Sequence, residues 1–289
     1  MVTVAFSQRP AATRRIRHVT LDIACPYALT ATGHTGTDSH PTCPADRSPT
    51  TADDWCRVIT QAVELGAESV EFSGGEPTTH PAFTELLRHA IHARLDIEVH
   101  TDLRHVTRHQ WTLFTHERVR LATTWHSDNP ARHDAITRHP GSHRRTRTNI
   151  VIALGLHIPL RVAIPQTQSD RQPGAAPDEL LFLGVRPDRI THAEPPDRNN
   201  RAPDAPTPCP HCPTDHLAVL PNGDVTPCVN RRDLVTGNVR RQPLADIVTG
   251  PTWRALATTV RASTAPSTDR DHTGPTHHTS PNRRGDQLD

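Results

Sequence analysis

Apolar positions along this chain follow two alternating rhythms. Residues 19–23, Val-Thr-Leu-Asp-Ile, alternate with period two and are rich in β-branched side chains, which predicts a strand. Thr51-Ala-Asp-Asp54 then supplies a capping side chain and first-turn acids. Trp55, Val58, Ile59, Ala62 and Val63 follow at helical spacing, and Gly66 closes that helix. Residues 69–72 form a second strand that runs straight into Ser73-Gly-Gly-Glu-Pro77. The alternation continues with a helix over 81–93, a strand over 96–100, a short helix over 107–114 and a strand over 119–123. Helices over 131–137 and 144–156 come next, then a strand over 160–164, a helix over 178–183 and a weak strand over 189–192. Strands separated by helices of this length imply right-handed crossovers and a parallel sheet of about six units. The fold class is therefore α/β. The pattern alone fits either a partial barrel or an open doubly wound sheet.

Between these rhythms lie stretches with none. Residues 25–50 are rich in Thr, Gly, Pro and Ser and read as loop. Residues 195–208 are a Pro/Asp/Asn/Arg linker, and 261–289 carry almost no apolar side chains and read as a disordered tail. The expected layout is an extension over 1–18, an α/β domain over 19–194, the linker, a small cysteine module over 209–260 and the tail.

Composition narrows the function classes. Every basic charge beyond histidine is Arg, the net charge is +1 and no basic patch stands out, so no nucleic-acid partner is expected. No apolar run is long enough to span a bilayer, and residues 1–15 lack a secretory core, which points to a cytoplasmic protein without a membrane partner. Six cysteines in a reducing compartment suggest metal ligands more than disulfides.

The cysteines supply the strongest chemical signal. Cys209-Pro-His-Cys212 is a CxxC pair, and Cys228 ends a hairpin turned by Pro221-Asn-Gly-Asp224. The turn folds Cys228 back toward the pair, and three such thiolates suit an iron–sulfur cluster or zinc. His211 or His216 completes the zinc alternative. The second signal is Ser73-Gly-Gly-Glu-Pro77, placed where α/β sheets bind ligands, at the carboxyl end of a strand. Its glycines permit close backbone approach, or simply make a tight turn.

Together these motifs resemble the radical S-adenosylmethionine (SAM) enzymes that carry a C-terminal SPASM extension. Gly74-Gly-Glu-Pro77 is similar to the family's SAM-binding motif. Cys209-x-x-Cys212, Pro221-Asn-Gly-Asp-Val-x-Pro-Cys228, Gly237-Asn-Val239 and Pro243-Leu-Ala-Asp-Ile247 look like the SPASM pattern. The resemblance covers roughly residues 19–256. It implies a partial (β/α)6 barrel and SAM held near Gly74, Gly75, Glu76 and Pro77, with Thr101 and Asp102 at the next strand end. Ser127, Asp128 and Arg161 are weaker candidates. It also implies an auxiliary [4Fe–4S] cluster on Cys209, Cys212 and Cys228, and a peptide or small-molecule substrate. The family's core cluster needs CxxxCxxC after the first strand. Cys25 occupies the first position here, whereas Leu29 and Thr32 occupy the other two. Cys43 lies farther along the same loop, and Cys56 reads as a packing residue on a helix. Reductive cleavage of SAM is accordingly not expected. A non-catalytic binding protein, and a zinc-stabilised module on an α/β domain, are the alternatives.

Overall fold

The computed structural model describes residues 16–24, 50–165, 176–193 and 215–264. Strands β1 (His18–Ala24), β2 (Ser69–Gly74), β3 (Asp96–His100), β4 (Val119–Thr124), β5 (Leu160–Pro165) and β6 (Ile190–Ala193) alternate with helices. These are α1 (Ala52–Glu64), α2 (Phe83–His92), α3 (Arg108–Phe114), α4 (Pro130–Thr137), α5 (Ser142–Gly155) and α6 (Ala176–Phe182). The six strands pair in parallel in chain order. Strand β6 ends the sheet on one side and pairs only with β5 among the described strands, so the barrel is open.

Local chemistry fixes the helix starts. Thr51 and Thr107 each form a reciprocal capping box, with Asp54 and Gln110 respectively. Asn129 caps α4 through its side chain, and Pro130 occupies the first helical position. A single turn of 3-10 helix, Pro77–Thr79, follows β2; the pattern of apolar residues gave no sign of it.

The two faces of the sheet differ in chemistry. Val19, Leu21, Val70, Phe72, Ile97, Val99, Val119, Leu121 and Val162 point to the helices and join Trp55, Ile59, Phe83, Leu86, Leu87 and Phe114 in one core. Phe83 sits edge-on to Phe72 and to Phe114, with centroids 5.7 and 6.2 Å away. Alternate residues, among them His18, Asp22, Glu71, Ser73, Glu98, His100 and Arg161, point to the other face. A parallel sheet buried on both sides has apolar runs; here the alternation of apolar and polar residues gives the sheet an inner face lined by polar and charged side chains.

The C-terminal module joins the same sheet, which its cysteines did not foretell. Strand β7 (His216–Val219) pairs in parallel with the free side of β1, matching Val19 with Leu217 and Leu21 with Val219. Strands β8 (Asp224–Thr226) and β9 (Gly237–Asn238) continue it antiparallel, giving nine strands in the order β6-β5-β4-β3-β2-β1-β7-β8-β9. Gly223 takes the left-handed conformation that the expected Asn-Gly turn needs. Helices α7 (Leu244–Thr249) and α8 (Pro251–Thr264) complete the module, and the backbone N–H of Leu244 donates to Gln61 Oε1 on α1. No helix among the described residues is long and apolar enough to cross a membrane.

Phe83→Ala empties the middle of an aromatic stack in a fully buried site. The expected loss is about 3–5 kcal/mol of unfolding free energy, measured by urea denaturation.

Candidate functional site

The carboxyl ends of four parallel strands meet around a cavity of about 320 Å3, within the range of small-molecule sites. Ser73, Gly74 and Gly75 line it from β2, and His100, Thr101 and Asp102 line it from β3. Thr124, His126, Arg161 and Ala163 close the far side. Gly74 has φ +119°, a conformation that favours glycine, so the chain can turn tightly across the cavity mouth.

Glu76 holds two of these strand ends together. Its carboxylate is buried and faces away from the cavity. Oε1 accepts from the Thr78 N–H at 3.0 Å, Thr78 Oγ1 at 2.5 Å and Thr101 Oγ1 at 2.8 Å. Oε2 accepts from the Asp102 N–H at 2.6 Å. Burial, then the neighbouring Asp102 carboxylate, pushes the Glu76 pKa up to about 8, against the pull of these donors. The loop beyond β3 is fixed from the other side by α5. Thr146 Oγ1 donates to the Asp102 carbonyl at 2.8 Å, and Asn149 Nδ2 donates to the Leu103 carbonyl at 2.5 Å. Leu103 is fully buried at φ +55°, and its N–H donates to Thr101 Oγ1 at 3.1 Å. Asp102 pairs with Arg104 Nε at 2.5 Å.

Charge continues along the inner face. Arg161 donates through Nε, at 3.0 Å, and through Nη2 to the same oxygen of Glu98, and its Nη2 lies 2.9 Å from His100 Nε2. Burial alone would raise the Glu98 pKa, but the His100 and Arg161 hydrogen bonds hold it down to about 2. Glu71, whose pKa burial raises, has its Oε2 3.5 Å from His100 Nε2. Glu71, Glu98 and His100 bring possible ligand atoms within 4.8 Å of one another, but Arg161 already engages Glu98. Across the cavity, burial first and His133 second lower the His126 pKa to about 4, so His126 is neutral at physiological pH.

The sequence-predicted residues thus divide. Gly74, Gly75, Thr101, Asp102 and Arg161 line the cavity. Glu76 and Pro77 are buried and do not line it, and the Glu76 carboxylate bonds to Thr101 and Asp102, which do. Ser127 is buried and accepts from the Asn129 N–H, and neither it nor Asp128 reaches the cavity. His100, His126 and His133 were missed: His100 ends β3, His126 lies two residues beyond β4 and His133 sits on α4, and 21 histidines gave none of these positions contrast. Cys228 is half-buried two residues beyond Thr226, and its carbonyl accepts from Thr226 Oγ1. His216 on β7 packs its ring against His18 at 4.8 Å. Cys56 packs against the core from α1. Cys25, Cys43, Cys209, His211 and Cys212 lie outside the described residues.

Residues 209–271 match the SPASM family model, an iron-sulfur cluster-binding domain. A PqqA peptide cyclase of Bradyrhizobium diazoefficiens is 40% identical over 53 residues, which are 18% of this chain and only 13% of that protein. Among solved structures, Streptococcus suis SuiB bound to precursor peptide SuiA superposes with a TM-score of 0.60 at 13% identity, covering 85% of this chain and 67% of that one. His-tagged anSMEcpe with bound AdoMet gives 0.59 at 8% identity, covering 86% and 84%. At such identities the likeness is one of fold, and it extends over barrel and module together.

Glu76 binds its proton more tightly in the folded chain than at its ordinary value near 4.5. Its stabilising contribution is therefore complete below about pH 4.5 and is lost as pH rises toward 8. Glu76→Gln, which cannot ionise, flattens the fall in stability across that window, as read by thermal melts from pH 5 to 8.

Proposed function

We infer that this chain is a radical SAM/SPASM iron–sulfur protein whose strand-end cavity receives SAM and whose substrate is a peptide. One observation carries the reading: the glycine turn and the Thr101-Asp102 strand end, both named by the motif, line one cavity at the carboxyl edge of an open parallel barrel. The residues fit the ligand. Gly74 and Gly75 leave backbone exposed for hydrogen bonds to an amino-acid moiety. Asp102 and Arg161 line the same opening, each already in an ion pair, with Arg104 and Glu98 respectively, and neutral His126 offers a ring nitrogen. Bound SAM supplies a sulfonium from which an alkyl group or radical can be drawn; the chain's own residues orient it and exclude water.

The module fits an iron–sulfur cluster by its donor set. Antiparallel pairing brings the end of β8 beside the start of β7, so the chain leading to Cys228 leaves the sheet next to the His216 end of β7. Cys209, Cys212 and Cys228 are the proposed ligands, and a reducing cytoplasmic setting keeps them as thiolates. The peptide substrate follows from the relatives' names, a PqqA peptide cyclase and a SuiB bound to precursor peptide SuiA.

The core cluster does not fit. A site-differentiated cluster needs three thiolates, and at family spacing the chain offers Cys25 followed by Leu29 and Thr32. That favours a second reading, in which the protein binds SAM and peptide without cleaving SAM reductively. No step is derived through that cluster.

Three measurements test the reading. Anaerobic reconstitution should yield iron and sulfide that Cys209→Ala and Cys228→Ala lose, whereas zinc in their place would redirect the module to a structural role. SAM affinity by calorimetry should fall on the order of tenfold or more in Gly75→Val with iron content unchanged. Dithionite reduction with SAM should give no 5′-deoxyadenosine above a protein-free control. Production abolished by both Cys25→Ala and Cys43→Ala would establish a rewired core cluster.

A further inference from the structure

The residues that flank the cysteine loop of the barrel are held by the C-terminal module. Asp22, three residues before Cys25, is fully buried on the inner face of β1, and its Oδ2 pairs with Nη2 of Arg232. Arg232 belongs to the turn that follows Cys228, and its Nε donates to the Val229 carbonyl at 3.2 Å. One guanidinium therefore spans from the backbone beside Cys228 to the strand that leads to Cys25. At the other end of the loop, Thr50 is buried and donates twice to the Pro221 carbonyl, in the turn between β7 and β8. Its N–H does so at 3.0 Å and its Oγ1 at 2.8 Å.

The pair is asymmetric: Asp22 is fully buried whereas the Arg232 side chain is 37% exposed, so desolvation of the carboxylate offsets much of the attraction and the pair is a poor source of net stability. The best-attested use of a buried ion pair is to fix register, since a charge left without its partner penalises every alternative placement. The turn after Cys228 needs such a device. It is a nine-residue excursion between Thr226, which ends β8, and Thr236, whose N–H and Oγ1 both donate to the Val225 carbonyl. Cys228 lies within it.

We propose that Asp22 and Arg232 are a positioning pair that sets the turn bearing Cys228 against the end of β1. With the Thr50–Pro221 contact, the pair ties two segments, the end of β1 and the chain entering α1, to the module in a single coupled arrangement. The inference rests on the reading of Cys228 as an iron–sulfur ligand only for its consequence to the cluster; the coupling of the two segments stands without it.

The experiment compares full-length, anaerobically reconstituted wild type with Arg232→Met, Arg232→Lys and the double variant D22N/R232M. Hydrogen exchange is followed by mass spectrometry at residues 229–236 and 50–55, with iron content, thermal melts and the electron paramagnetic resonance of the reduced cluster. Arg232→Met should raise exchange in both segments by roughly tenfold or more and alter the resonance, and Arg232→Lys should restore both. The double variant, which removes both charges, should melt near wild type yet keep the raised exchange and the altered resonance. Recovery of protection together with stability in the double variant would reduce the pair to ordinary packing and overturn the proposal. So would exchange in Arg232→Met equal to wild type. A wild type without iron removes the cluster reading and leaves the exchange comparison intact.

Discussion

Strand β1 is the constraint on which both parts of the molecule depend. Its backbone is paired in parallel on both sides, to β2 within the barrel and to β7 of the module. A barrel of this type opened at β1 would carry an unpaired edge there, a template for association with other chains. The module covers that edge, so the small domain completes the large one instead of hanging from a linker. Removing it exposes a row of backbone donors and acceptors in the middle of what was a continuous sheet. The hydrophobic face of β1 also holds Trp55 and Ile59 of α1, so the same strand anchors the core.

The inner face works by offsetting charges at short range. Glu98 is ionised because Arg161 and His100 surround it, and Glu71 nearby pays for its burial with a higher proton affinity. Glu76 does something different: its carboxylate accepts twice from Thr78 on its own loop and once each from Thr101 and Asp102, which ties the chain beyond β2 to the end of β3, where Gly74 and Asp102 line one opening.

Much of this was legible in the chain itself. The parallel α/β alternation could be read because each core face repeats at the period of its element, as in Phe83, Leu86, Leu87 and Ala90. The cap at Thr51-Ala-Asp-Asp54 set the start of α1 within a residue, whereas the capping box at Thr107 emerged only in the structure. Gly74 and Gly75 stood out because a glycine pair at a strand end is legible locally, whereas Thr101 and Asp102 were named by the resemblance; all four line the same cavity. The inward turn of Glu76 was not legible, because its acceptors' partners come from β3, more than twenty residues away. The pairing of β7 with β1 was equally hidden: a four-residue strand has no period long enough to declare its neighbour, and nearly two hundred residues separate the two. Histidine abundance masked His126 in the same way, since frequency erases the contrast on which a motif depends.

Leu103 carries a consequence for binding. A buried leucine in the left-handed region is costly and persists only because Thr101, Asn149 and the surrounding core leave it no alternative. The loop after β3 has therefore lost its conformational freedom during folding. A ligand arriving at Thr101 and Asp102 meets a wall already in its final shape, and association is opposed by desolvation and by the ligand's own flexibility rather than by the ordering of the protein.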